Sequence, residues 1–307
     1  MHISVLKEES INGLNIRDGL IYVDCTLGYA GHSGEILKMN KKGWLYAFDQ
    51  DTDAIEYSTK KLNSIGDNFE IIKSNFVNLK SELNKRGIYK IDGILFDLGV
   101  SSPQLDVAER GFSYHQDAHL DMRMDKENPL SAYEVVNNYK ESDLITIFYK
   151  YGEEKYSTSI AKNIIKSREN KKIETTLELV DIIKKSMPMK ELREGHPARK
   201  TFQAIRIEVN HELDVLESAL EQAIDLIDVG GRICVITFHS LEDRLVKNLF
   251  RKYSEVDSKF SKLPYIPDEF KPKLKIVSKG IVPSREELEE NNRARSSRLR
   301  VVEKIKD

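Results

Sequence analysis

Eleven residues carry the densest chemical signal in the chain: Asp24-Cys25-Thr26-Leu27-Gly28-Tyr29-Ala30-Gly31-His32-Ser33-Gly34. They follow a short apolar run, and glycines at 28, 31 and 34 would let a backbone approach a ligand closely. The spacing is not GxGxxG, and the Gly-Lys-Ser/Thr of a phosphate loop is absent. A carboxylate at Asp24 would repel a pyrophosphate and suits a ligand with an ammonium group. Asp49 lies 18 residues beyond Gly31, where nucleotide-binding units place the carboxylate that grips ribose hydroxyls. A ligand with a ribose, an ammonium group and no phosphate fits both acids, and this points to S-adenosylmethionine. The plainer alternative is a tight strand-to-helix turn with a cap and a solvated acid.

Other reactive groups are sparse. No His, Cys or acid with metal-ligand spacing accompanies His32, so no metal is expected and His32 should offer its backbone N–H to the ligand. His239 follows an apolar run at the same edge and is a candidate for lining a base pocket. Ser240-Leu241-Glu242-Asp243 after it reads as a helix cap. Cys25 and Cys234 each sit in an apolar run, which fits a reducing compartment and excludes a disulfide scaffold.

Positioning these groups requires a parallel sheet. Apolar runs of strand length occur at Ile21–Thr26, Trp44–Asp49, Phe69–Lys73 and Ile91–Asp97. Helical stretches alternate with them at Ser33–Met39, Thr52–Asn63 and Asn75–Arg86, the pattern of βαβ units. From Leu105 to Pro197 no convincing strand occurs, and Ala132–Asn138, Ser142–Tyr151, Lys155–Ser167 and Thr176–Lys185 read as helices. Apolar residues from Phe202 to Ile227 recur at steps of three and four, predicting one long helix over Ala198–Asp228 that stops at Gly230-Gly231. Strands return at Arg232–Phe238, Leu274–Val277 and Leu299–Val302. The expected layout is a mostly parallel α/β sheet of about seven strands with an inserted all-helical domain. Residues 1–104 and 198–307 would form the first domain and 105–197 the insert.

The 307 residues suffice for one large domain or two ordinary ones. No run approaches 18 apolar residues and no signal peptide is apparent at the start, so a cytoplasmic protein without membrane spans is expected. The net charge of −2 is unevenly spread: Lys184–Arg206 carries +5 and Arg244–Lys279 carries +6, leaving −13 on the remainder. Such windows suit a polyanion, although solvated helix faces would look the same. Arg199, Lys200 and Arg206 are candidates for phosphate contacts.

Longer motifs then resemble one family. Asp97-Leu98-Gly99-Val100-Ser101-Ser102-Pro103-Gln104-Leu105-Asp106 ends the fourth strand, followed by Glu109-Arg110-Gly111-Phe112-Ser113-Tyr114 and Leu120-Asp121-Met122-Arg123-Met124-Asp125. Tyr151-Gly152-Glu153-Glu154, the run Gly195–Ile207, Phe238-His239-Ser240-Leu241-Glu242-Asp243-Arg244, Pro283-Ser284 and Asn292-Arg293-Ala294-Arg295-Ser296 complete the series. Together with the first loop these resemble the bacterial small-subunit ribosomal RNA methyltransferase H family. The resemblance implies a Rossmann-like class I methyltransferase sheet with a helical insert. It implies methyl transfer from S-adenosylmethionine to the exocyclic N4 of one cytosine in the decoding region of 16S rRNA. The partner would be 16S rRNA or the 30S subunit; the oligomeric state stays open, a homodimer among the options.

Carried residue by residue, the resemblance implicates Ala30, Gly31, His32, Asp49, Phe76, Asp97 and Gln104 in cofactor binding, with Phe76 against adenine. Ser102 and Pro103 are the candidates for positioning N4, through backbone carbonyls and a serine hydroxyl; a rigid turn that only shapes the pocket is the alternative. The family usually has glycine at the position of Ala30 and often at that of Tyr29. It also often has Gly-Pro where Ala118-His119 stand, so a less rigid segment is expected there. Rival readings are a nicotinamide-dependent oxidoreductase, a non-catalytic rRNA-binding assembly factor, and an amino-methyltransferase acting on DNA.

Overall fold

The computed structural model describes residues 4–99, 107–193, 195–256, 259–260 and 264–307. Ser102, Pro103 and Gln104 lie outside the described residues. The chain divides into two compact units, Met1–Gly99 with Leu213–Asp307, and Val100–Glu212.

In the first unit, strands β1 (Ile21–Asp24), β2 (Trp44–Asp49), β3 (Phe69–Lys73) and β4 (Ile91–Asp97) alternate with helices α1 (Lys7–Leu14, before β1), α2 (Gly31–Met39), α3 (Thr52–Asn63) and α4 (Leu79–Lys85). β5 (Ile227–Thr237), β6 (Leu274–Ile281) and β7 (Arg298–Lys304) complete one sheet of order β3-β2-β1-β4-β5-β7-β6. β1 to β5 pair in parallel, and β7 runs antiparallel to both β5 and β6. Both faces are apolar and alternate with the pleat. Val23, Phe48, Ile94, Phe96 and Val235 meet one layer, and Tyr22, Leu45, Ala47, Leu95 and Cys234 meet the other. A sheet covered on both sides must read as continuous apolar runs. That is why its strands were visible in the sequence.

In the second unit helices enclose a separate core: Leu144, Phe148, Ile160, Ile164, Leu179, Ile183, Phe202 and Ile205. The helices are α5 (Ala132–Asn138), α6 (Glu141–Gly152), α7 (Ser157–Asn170), α8 (Thr176–Lys185) and α9 (Arg199–Asn210). Outside the named strands, the one bridge among the described residues joins His119 to Thr175. The Thr176 amide also donates to Ala118 O at 2.8 Å, and the Leu120 amide to Glu174 O at 3.0 Å. The segment that lacks Gly-Pro is therefore pinned by backbone hydrogen bonds, contrary to the expectation of looseness.

The predicted long helix is two: α9, then α10 (Glu212–Leu226). His211 between them is left-handed, with φ 49° and ψ 37°. The corner is held locally. Asn210 Nδ2 donates to Met122 O and its Oδ1 accepts the Met124 amide, while Arg206 grips Glu212 through two bonds of 2.8 and 2.9 Å. Apolar periodicity runs on through such a corner and hides it. α9 groups with the helical unit, so the observed division falls at 212/213 beside the expected 197/198. Gly230-Gly231 is likewise no helix stop. It lies inside β5, where pairing jumps from Ile91↔Ile227 to Gly93↔Arg232, a bulge with Gly230 at φ 84°.

α1 escaped the sequence reading because Asn12 and Gly13 weaken its propensity. Tertiary fit overrides that, since a Cβ on Gly13 would come within 3.0 Å of both Cys234 Sγ and Val301 Cγ2. Gly93 in β4 is tighter still. A Cβ there would stand 2.6 Å from the Tyr22 ring, whose hydroxyl is fixed by the Arg17 amide at 2.8 Å. Gly93→Ala should therefore cost about 1–3 kcal/mol by overpacking. Urea unfolding reads this directly, and a variant as stable as the parent would contradict it.

Candidate active site

Strand order reverses between β1 and β4, and the residues just past their carboxyl ends converge there. Asp24 closes β1 and is 1% exposed. Its Oδ2 accepts the Ser33 hydroxyl at 2.6 Å and its Oδ1 accepts the Thr26 amide at 3.0 Å. Thr26 Oγ1 in turn accepts the Asp97 amide at 2.7 Å. Asp24 thus clamps the loop and joins β1 to β4 instead of facing an ammonium group, as the sequence suggested.

Asp97 has the open acceptor. It closes β4, and its Oδ1 is buried without a hydrogen-bond partner. Burial, then the charges of Asp24 and Glu242, push its carboxyl well above the ordinary range. Three acids crowd one rim, so an added anion is opposed and a cation relieved. His32 lies against Asp97, with Nδ1 3.6 Å from Oδ2. Its Nε2 is 3.1 Å from Val5 O, which can only accept, so Nε2 carries a hydrogen. Its other ring nitrogen, Nδ1, is the one that faces the Asp97 carboxyl. The sequence offered no sign of this pair, because its partners are brought together by tertiary structure.

The first loop is held without side-chain capping of α2. The Gly28 amide donates to Asp49 Oδ2 at 2.9 Å, and the Gly28 carbonyl accepts the Ser58 hydroxyl at 2.6 Å. Lys61 Nζ holds the Tyr29 carbonyl at 2.9 Å. Gly31 is obligatory: a Cβ would collide with Ser4 Oγ at 1.7 Å. The amino-terminal segment therefore lies on the loop. It is tied down again where the Leu6 amide donates to Glu287 Oε1 at 2.7 Å, in α12 (Arg285–Glu290). Ala30 adopts φ 51° and ψ 43°, a conformation that a glycine would take without strain. Its methyl is fully buried in the core with Ile36 and Leu37, so the departure from glycine strains the backbone and fills the interior.

Asp49 closes β2 and accepts one amide on each oxygen, from Gly28 and from Asp51 at 2.9 Å. Burial raises its pKa to about 6. Phe76 opens a short 3-10 turn after β3 and meets Phe96 edge-on, centroids 5.7 Å apart. Ala30, Gly31, His32, Asp49, Phe76 and Asp97 thus all lie beyond the carboxyl ends of β1 to β4.

Glu242 and His239 join the rim from β5, whose Ile236 is paired with Asp97. The cap of α11 (Ser240–Ser254) is His239, not Ser240 as expected. Glu242 Oε2 accepts the Phe238 and His239 amides at 2.8 and 3.3 Å, while His239 Nδ1 accepts the Glu242 amide at 3.4 Å. Asp243 anchors Arg300 of β7 through bonds of 2.7 and 2.8 Å. The signal was present as an acid three residues after a capping residue, but histidine is an unusual cap. Both cysteines are buried free thiols whose pKa burial raises, which suits packing and not nucleophilic chemistry. Arg206 is held by Glu212 and Lys200 by the Glu153 carbonyl, which weakens their case as phosphate contacts. Among the described residues no helix is long and apolar enough to cross a membrane.

A doubly wound sheet with a reversed strand beside its edge, an acid-rimmed switch point and a carboxylate closing the second strand define a Rossmann-like α/β enzyme of the methyltransferase class. Comparison with known proteins narrows this: the chain belongs to the MraW methylase family, which matches residues 1–305. It is 57% identical to the Ribosomal RNA small subunit methyltransferase H of Exiguobacterium sibiricum over 308 residues, covering 100% of this chain and 99% of that protein. Among solved structures it is similar to an rRNA methylase from Streptococcus thermophilus, at 13% identity and TM-score 0.46, over 100% and 99% of the two chains. It is also similar to NSun6 from Pyrococcus horikoshii solved with SFG, at 12% identity and TM-score 0.45, over 100% and 53%. At TM-scores below 0.5 neither structure adds to the strand order itself.

Removing the Ser33 hydroxyl tests the role given to Asp24. Ser33→Ala should lower stability by about 1.5–3 kcal/mol, because a buried carboxylate loses a hydrogen bond. Denaturant unfolding that matched the parent, with weakened ligand binding instead, would return Asp24 to the ligand.

Proposed function

We propose that the protein transfers a methyl group from S-adenosylmethionine to the exocyclic N4 of a cytosine in the decoding region of 16S rRNA, in the cytoplasm. The full-length likeness to a ribosomal RNA small subunit methyltransferase H carries the substrate class. The unmet buried oxygen of Asp97 in a ring of acids supports a cationic, phosphate-free cofactor. It also disfavours the pyrophosphate of a nicotinamide dinucleotide. The 16S rRNA is the partner, free or within the 30S subunit, and the sheet-bearing unit, with the segment that follows β4, is the catalytic part.

When bound, S-adenosylmethionine supplies a methyl group already activated on its sulfonium. Asp49 accepts the ribose hydroxyls, and Phe76 covers adenine. Asp97 takes the methionine ammonium, with His32 set beside it by the Val5 carbonyl. The start of α2, at Gly31 and His32 beside Ala30, offers its amide end to the methionine carboxylate. Gln104 closes the cofactor side. A cytosine N4 lone pair is delocalised into the ring, so alignment and acceptors for the N4 hydrogens are the levers. Ser102 and Pro103 supply those acceptors through a hydroxyl and backbone carbonyls. Transfer forms one N–C bond, breaks one S–C bond and releases one N4 proton. No general base or metal is needed for that balance. The target base must leave its stack to reach the rim.

A tritiated-methyl assay on 16S rRNA and on 30S particles, followed by nucleoside mapping, tests the reading. Label in N4-methylcytidine is expected; label elsewhere, or none, overturns it. Ser102→Ala should reduce kcat well beyond any change in cofactor Kd, whereas unchanged turnover removes the hydroxyl from the mechanism. Only ionised Asp49 accepts two hydroxyls, so cofactor affinity should fall toward tenfold per pH unit below about pH 6. Asp49→Asn should weaken binding at pH 7.5 by about 1.5–3 kcal/mol and flatten that profile. Calorimetry giving the parent's affinity and slope would exclude Asp49.

A further inference from the structure

The helical unit carries a group of aromatic rings at the edge of its core. Tyr114 and His196 are stacked, centroids 4.3 Å apart and planes 22° apart. His115 joins them at 4.6 Å from Tyr114 and 5.0 Å from His196. Phe202 of α9 backs Tyr114 edge-on at 5.7 Å and is itself core. Tyr114 and His196 are half-buried, while His115 is exposed. Two local devices fix the rings. The Ser113 hydroxyl accepts the His115 amide at 3.2 Å, and His196 Nδ1 accepts the Ala198 amide at 3.3 Å. Burial, then the nearby His115 and Lys184, lowers the His196 pKa. Lys184, Lys185 and Arg199 are exposed within the +5 window that contains His196.

Pre-positioned rings beside cations are what a single-stranded nucleic acid needs, because every base has a π face and every phosphate a charge. A solely structural role would explain Tyr114 and His196, which join the loop at 112–115 to the start of α9. It does not explain an exposed third ring held against them.

We propose that Tyr114, His115 and His196 form a stacking platform for an unpaired base of the RNA substrate, with Lys184 and Arg199 against its backbone. This rests on the rRNA reading above and adds how the helical unit holds a single strand. The platform does not touch the reacting atoms; it positions the strand.

The test uses the full chain and fluorescence anisotropy with two labelled probes, an unstructured RNA of about 20 nucleotides and a duplex of equal length. The single strand should bind more tightly. His115→Ala and His196→Ala should each weaken it about tenfold, leave the duplex unchanged and leave the slope of log K against log salt unchanged. His115→Phe should restore binding, and Lys184→Ala should reduce that slope by about 0.7. His115 is exposed, so its variant should keep the parent's circular dichroism. His115→Ala binding the single strand as the parent does, or equal losses on both probes, overturns the platform. If rRNA methylation by the parent persists in that case, the function stands without it; if the parent neither methylates nor binds RNA, both fall.

Discussion

Crowding of carboxylates at one point of the sheet governs the rest of the first unit. Asp24, Asp97 and Glu242 meet where strand order reverses, and each is tied to a different duty. Asp24 is consumed by Ser33 and Thr26, and Glu242 by the amides of Phe238 and His239. Asp97 alone of the three keeps a buried oxygen unmatched. Like charges at such range cannot all ionise in a low dielectric without help. In the proposed function that help comes from the cation of the ligand. The glycine-bearing loop, the clamped β1–β4 join and the capping of α11 are the means of holding the three acids together.

The sheet was legible because burial on both faces writes long apolar runs, and β2, β3 and β4 lie where those runs lie. Asp49 was legible for a related reason, since its distance from the first loop is fixed by one helix between two strands. What escaped reading depends on contacts distant in the chain. The His32–Asp97 pair needs β4 beside β1, and the Val5 carbonyl needs the amino-terminal segment folded over α2. The corner at His211 left no mark in the apolar period because steps of three and four continue from α9, packed in the helical core, into α10, packed in a core of the sheet-bearing unit. Its cause, Asn210 reaching Met122 and Met124, is invisible until the helical unit is assembled.

Several residues of the family motifs turn out to hold the backbone. Asp121 binds Arg123 through bonds of 2.7 and 3.0 Å, and Arg110 holds the carbonyls of Arg123 and Met124. Their side chains hold one another and the local backbone within the helical unit. At Ala30, where the family usually has glycine, the methyl is buried in the core on a left-handed backbone.

The position of β7 has a consequence for biogenesis. It is the last strand in the chain yet lies between β5 and β6, and β6 pairs with no other strand. While a nascent chain emerges, β6 exposes both edges until residues 298–304 follow. Bare edges of that kind invite pairing with other chains. Closure also requires contacts of high sequence separation, as when Glu287 receives the Leu6 amide, and such contacts form slowly. The sheet therefore closes only once residues 298–304 have been made, and the interval between the synthesis of β6 and that of β7 is its vulnerable one.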